Sequence, residues 1–155
     1  MDWTLFALFF AATVAAASTG MLFKPGAWYE GLVKPSWTPK PWMFPVVWTS
    51  LYILMALAGA RLAVLPEAGM ALALWALQIA LNTLWTPVFF GAHRMRVAMG
   101  VMVALWAAIA GLVWVALPLD LWAGLMLVPY PIWVSVAAAL NFTILRLNGW
   151  GRAAS

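Results

Sequence analysis

Two amide side chains, Gln78 and Asn82, stand one helical turn apart in the otherwise apolar run QIALNTLWTPVFF. An amide offers donors and an acceptor, so its chemistry is hydrogen bonding to a polar edge. In hydrocarbon an unpaired amide costs several kcal/mol, so both side chains must meet protein, water or a ligand. Trp85 at i+3 from Asn82 and Phe89 at i+4 from Trp85 extend the same face. Pro87 then interrupts the run ahead of a loop containing Gly91, His93 and Arg94. Amides beside aromatic side chains fit the wall of an apolar ligand pocket. The same pattern also fits core packing, with Gln78–Asn82 or Asn82–Asn141 pairs as interhelical glue.

Other chemistries are excluded by composition. The chain of 155 residues has no cysteine, one histidine and four acids. Thiol redox chemistry, disulfides and thiolate metal sites are therefore absent, and almost nothing remains for a metal or a carboxylate pair. His93, beside Arg94 in a loop, reads as interfacial rather than catalytic. Hydrophobic residues make up 67% and charged residues 8%, against roughly 25% charged in a soluble domain. The mean hydropathy is +0.99. This is the composition of an integral membrane protein. The net charge of +4 sits in loops, where it sets topology rather than binding nucleic acid.

Five segments reach the roughly 20 residues needed to cross a bilayer: 3–23, 45–65, 68–90, 97–117 and 121–146. They predict an all-α bundle of five transmembrane helices in one domain, 1–155, with a loop over 24–44. The first stretch lacks a basic leader and is expected to stay as a helix. Lys24, Lys34, Lys40, Arg94, Arg96, Arg146 and Arg152 fall on one side of the five spans, and Asp2, Glu67 and Asp120 on the other. Positive-inside topology then places the N-terminus outside and the long loop and C-terminus in the cytoplasm. Arg61, near the end of the second span, is expected to snorkel to the interface.

Small residues recur at helical spacing in the first span (Ala12, Ala16, Gly20) and in the third (Ala76, Ala80). Close packing inside one bundle and a homodimer contact both fit that spacing. The long loop, KPGAWYEGLVKPSWTPKPWMF, stiffens its aromatics with prolines. It reads either as a headgroup belt or as a lid. In the fifth span Pro129 and Pro131 flank Tyr130 and predict a kink. Beyond it, Trp133, Ala137 and Asn141 share one face, while Trp48 and Tyr52 share a face of the second span and Trp106 lies on the fourth. At 1.5 Å per residue, Trp48, Tyr52, Asn82, Trp85, Trp106, Trp133 and Ala137 lie roughly 5–20 Å below the side that carries the loop. That is a pocket with a candidate lid.

Three blocks then carry a family resemblance. They are Lys34-Pro35-x-Trp37-x-Pro39 continuing to Pro45-x-x-Trp48-x-x-Leu51-Tyr52, then Gln78-x-x-Leu81-Asn82-x-x-Trp85-x-Pro87-x-Phe89-Phe90-Gly91, and Pro129-Tyr130-x-x-Trp133 through Ala137 to Leu140-Asn141. In this order the chain resembles the TspO/MBR family, the tryptophan-rich sensory proteins that include the mitochondrial translocator protein. The resemblance implies a five-helix bundle, usually a homodimer, in a bacterial envelope. It implies no required cofactor, and a pocket under the loop that takes protoporphyrin IX and related heme-type tetrapyrroles. Relatives also take cholesterol and benzodiazepine-type ligands. The implied pocket residues are Trp37, Trp48, Tyr52, Asn82, Trp85, Phe89, Trp133 and Ala137, joined by Trp106 from the depth argument. Asn82 would bond a polar ligand edge, with loop lysines near the propionates.

One position departs from the mammalian pattern: Phe142 stands where a proposed sterol motif ending in Arg146 has tyrosine. Such motifs are weak even when intact. The alternative to a receptor or transporter is light-dependent porphyrin breakdown, with Trp48 and Trp133 mediating the photochemistry.

Overall fold

The computed structural model describes residues 1–149, so Arg152 lies outside the described residues. Five helices are long and apolar enough to span a membrane: Trp3–Leu22, Met43–Leu62, Gly69–Gly91, Met95–Leu119 and Leu121–Asn148. They divide into α1 (Trp3–Leu22), a short α2 (Ala27–Glu30), α3 (Met43–Leu62), α4 (Gly69–Thr86), α5 (Met95–Leu119), α6 (Leu121–Leu127) and α7 (Pro129–Asn148). The chain is an integral multi-pass membrane protein.

Local chemistry explains the ends. Asp2 caps α1 by accepting from the Thr4 and Leu5 amides at 2.9 and 3.1 Å. Pro45 sits in the first turn of α3, where its missing N–H would have no helical partner anyway. The fifth span breaks at Val128, ahead of Pro129 and Pro131, which cannot donate to the preceding carbonyls. The sequence reading of a proline kink there is met. The third span runs past Pro87 to Gly91, close to the expected 68–90, but not as a plain α-helix. The backbone widens into a π turn, Pro87–Gly91, in which the Ala92 amide reaches the Pro87 carbonyl at 2.8 Å.

Around the bundle α1 packs between α3 and α4, α4 packs on α5, and α5 meets α6 and α7, with α6 closing against α3. Close approach of α1 to α3 depends on Gly59, where a Cβ would stand 2.5 Å from Cδ1 of Phe9. The main core runs through Leu51, Met55, Leu62, Trp75, Leu105, Ile109, Leu112 and Val134. The Trp75 indole donates to the Met55 carbonyl at 3.0 Å, tying α4 to α3. A second cluster, Phe89, Met95, Ala98, Leu140, Ile144 and Leu145, sits directly beneath the loop 24–44 and packs against Trp28, Tyr29 and Phe44.

Arg61 does not simply snorkel. Its Nε and an Nη donate to the two Asp120 oxygens at 3.0 and 3.1 Å, and Asp120 also caps α6 through the Ala123 amide at 3.0 Å. The planar guanidinium matches a carboxylate bidentately, which a free interfacial arginine would forgo. Burial on its own would raise the Asp120 carboxyl, but the Ala123 amide and Arg61 outweigh it and hold it below the ordinary carboxylate value.

A closed aromatic pocket beneath loop 1

The pocket starts from α3. Trp48 and Tyr52, one turn apart, lie with their rings 5.5 Å apart and tilted by 30°. The Tyr52 hydroxyl donates to Oδ1 of Asn82 at 2.9 Å, and Nδ2 of Asn82 donates to the Tyr130 hydroxyl at 2.7 Å. Asn82 thus braces α3, α4 and α7 together through two phenols. Trp48 presents its ring at 6.0 Å and 77° to Tyr130, which is fully buried. The kink before α7 matters here because it turns Tyr130 inward, onto the α4 amide.

Toward the loop, Trp85 stacks on Phe89 with centroids 5.1 Å apart and planes 17° apart. The π turn makes this possible: the extra residue per turn keeps Phe89 buried and sets Phe90 edge-on to Tyr29 at 5.3 Å. Phe44 meets Trp133 edge-on at 5.7 Å. Tyr29, Phe44, Trp85, Phe89, Phe90, Ala137, Leu140, Asn141 and Ile144 line a cavity of about 40 Å³. That is space for about one water, whereas drug-sized ligands fill pockets of roughly 300–1,000 Å³. The loop 24–44, loop 1, packs against this cavity and leaves it too small for such a ligand.

Loop 1 is held by specific contacts. Trp28 of α2 stacks on His93 at 4.2 Å, and His93 adopts a left-handed φ of 55° to close the turn after Gly91. The Asn148 amide grips the Val33 backbone from both sides: the Val33 amide donates to Oδ1 and Nδ2 donates to the Val33 carbonyl, each at 2.9 Å. Lys34 donates to the Glu30 and Leu32 carbonyls at 3.1 Å and lies 4.7 Å above the Tyr29 ring. Burial pushes the Tyr29 phenol up, so it stays neutral. A larger cleft of about 550 Å³ opens between loop 1 and the end of α7, lined by Trp28, Leu32, Val33, Met95, Arg146 and Asn148 among others. It lies outside the lid, whereas the buried polar chemistry lies beneath it.

That chemistry is incomplete. Nε1 of Trp85, Nε1 of Trp133 and both amide atoms of Asn141 are fully buried with no hydrogen-bond partner, as is the whole amide of Gln78. Neither form of interhelical glue expected from sequence occurs: Asn82 bonds the two tyrosines, while Gln78 and Asn141 bond nothing. Buried groups of this kind are rare, and each needs a reason.

The residues expected in the pocket divide into three groups. Trp48, Tyr52 and Asn82 form a braced wall in the bundle outside the cavity lining, and Trp85, Phe89 and Ala137 line the cavity, with Trp133 behind Phe44. Trp37 remains on loop 1, 48% exposed and outside the cavity lining. Trp106 is not brought to the pocket. The inward face of α5 is Met102, Leu105, Ile109 and Leu112, and Trp106 sits one position off it, 44% exposed, donating to Ser135 Oγ at 2.9 Å. Tyr29, Phe44, Phe90, Leu140, Asn141 and Ile144 are lining residues that sequence reasoning did not assign, nor did it assign Tyr130 of the brace. Only Asn141 had a spacing signal, on the face shared with Trp133 and Ala137. At the departed sterol motif, the Arg146 guanidinium lies 5.9 Å over the Phe142 ring.

The comparisons with known proteins agree with this architecture. A tryptophan-rich sensory protein of Cereibacter sphaeroides is 53% identical over 152 residues, covering 98% of this chain and 96% of the relative. Protein CrtK of Rhodobacter capsulatus is 51% identical over 152 residues, covering 96% and 95%. The human translocator protein is 36% identical over 129 residues, covering 79% and 76%. The TspO/MBR family model matches residues 4–147, which takes in every wall residue of the pocket, and the chain belongs to that family.

Proposed function

We propose that this protein is a membrane receptor or translocator that binds protoporphyrin IX and related tetrapyrroles in the pocket beneath loop 1, in a sensory, regulatory or transport role. The observation that carries the reading is the unpaired buried polar atoms of Trp85 and Asn141, both lining the aromatic cavity, with the unpaired indole of Trp133 on the helix that carries Asn141. A protein keeps such atoms unpaired at a cost in stability, and a ligand with both a π face and polar edges satisfies them. The names of relatives, a sensory protein and a translocator protein, support the same role.

In this reading loop 1 is the moving part. A macrocycle needs several hundred Å³, so loop 1 lifts Tyr29 away to admit it while α3, with Phe44, and the Tyr52–Asn82–Tyr130 brace stay fixed. Lysines and arginines bias loop 1 toward the cytoplasm. The exposed α4 stripe of Ala76, Leu77 and Ala80 suits a homodimer contact. Sterol is a weaker candidate, because Phe142 lacks the hydroxyl of the tyrosine in the proposed motif.

Titration of purified protein with protoporphyrin IX in the dark tests the proposal. Saturable quenching of tryptophan fluorescence with a shifted Soret band is expected; a linear, non-saturating response refutes it. Illuminating the complex under oxygen separates binding from photochemical breakdown, which would form a new absorbing product with wild type but not with Trp48→Phe.

A further inference from the structure

We infer that Asn141, together with the Trp85 and Trp133 indoles, is a selectivity edge for ligands that carry a carboxylate or carbonyl acceptor, whereas Asn82 is a brace. This inference rests on the tetrapyrrole reading above and names which of the chain's residues take the ligand's polar group.

The division follows from how the two asparagines are bonded. Asn82 gives its oxygen to Tyr52 and an amide hydrogen to Tyr130. Asn141, 2% exposed, gives neither atom to anything, and it lines the cavity with Trp85. Trp133 lies behind that lining, its ring edge-on to Phe44, and its indole is likewise unpaired. The unpaired set is donor-rich: two amide hydrogens and two indole hydrogens against one amide oxygen. A cation finds no anionic partner there, and a wholly apolar ligand leaves every donor unpaired. A carboxylate or carbonyl oxygen complements it. Lys34 of loop 1 is already bonded to the Glu30 and Leu32 carbonyls, and among the described residues no lysine lines the cavity.

The test uses two macrocycles alike in shape, mesoporphyrin IX with its two carboxylates and etioporphyrin I with none. Dissociation constants are measured in the dark for wild type, Asn141→Leu and Trp85→Phe. Wild type is expected to prefer mesoporphyrin. Asn141→Leu is expected to lower that preference about tenfold, and Trp85→Phe several-fold, with etioporphyrin affinity held or improved in both. The ligand-free Asn141→Leu protein is also expected to melt above wild type, because leucine removes an unpaired buried amide without changing the side-chain size much. Equal losses for both porphyrins, no loss for either, or a lower ligand-free melting point would overturn the inference while leaving tetrapyrrole binding intact. Wild type binding neither porphyrin would instead refute the tetrapyrrole reading and this inference with it.

Discussion

Two asparagines lie in the same half of the bundle and meet opposite fates. Asn82 sits between two phenols that use its oxygen and one of its amide hydrogens. Asn141 is more deeply buried, at 2% against 6% exposure, and bonds nothing. In an apolar interior the first arrangement stiffens the fold and the second weakens it. The difference teaches where structure ends and function begins. The braced wall ties α3, α4 and α7 together, and the unbraced wall lies under a loop held by Asn148 and Trp28, where the proposed ligand would complete it. The far end of the bundle resembles the braced wall, since Arg61 and Asp120 complete each other there.

The largest effect is expected from breaking the brace. Asn82→Leu strands the Tyr130 and Tyr52 hydroxyls and should destabilise the protein by about 3 kcal/mol, seen as a lower midpoint in denaturant titration. A loss below about 1 kcal/mol would mean the two tyrosines re-pair without it.

A smaller loss is expected at the far end. Arg61→Met should cost about 1–2 kcal/mol, less than a fully buried pair, because the Arg61 side chain is 34% exposed and screened. The pH dependence has a definite sign. The folded Asp120 carboxyl lies below its ordinary 3.8. Its contribution is therefore full above that value and lost as pH falls through the lowered one. Acid melting curves of wild type and Arg61→Met should converge as pH falls through the lowered Asp120 value; curves that stay parallel would assign the stabilisation to packing instead.

The smallest effect concerns the lid. Asn148→Ala removes both bonds to Val33 and should raise amide hydrogen exchange across residues 24–42 several-fold, with little change in global melting. Unchanged exchange would show that the Trp28–His93 stack alone holds the loop.

Much of this was legible in sequence, for stated reasons. Five apolar runs of spanning length dictate five helices, and Pro129 with Pro131 dictates the break before α7. The shared face of Trp133, Ala137 and Asn141 follows from a 3.6-residue period. What periodicity hides is contact between distant segments. Asp120 lies 59 residues from Arg61, and Tyr130 lies 48 from Asn82. Neither pairing leaves a local trace. Trp106 was misplaced because membrane helices are apolar all round, so hydropathy does not mark which face is inward. Pro87 was legible as a breaker, but a proline can widen a helix rather than end it, and that choice turned Phe89 into the wall.

The most direct measurement is thermal melting of wild type, Asn82→Leu and Asn141→Leu, each without ligand and with protoporphyrin IX in excess. Ligand at a hundredfold over its dissociation constant stabilises a protein by about 2.7 kcal/mol. Wild type should rise with porphyrin. Asn82→Leu should melt lower than wild type, and Asn141→Leu should melt higher without ligand yet gain less from it. Two asparagine variants that both melt below wild type and gain equally from porphyrin would contradict the division between brace and binding edge.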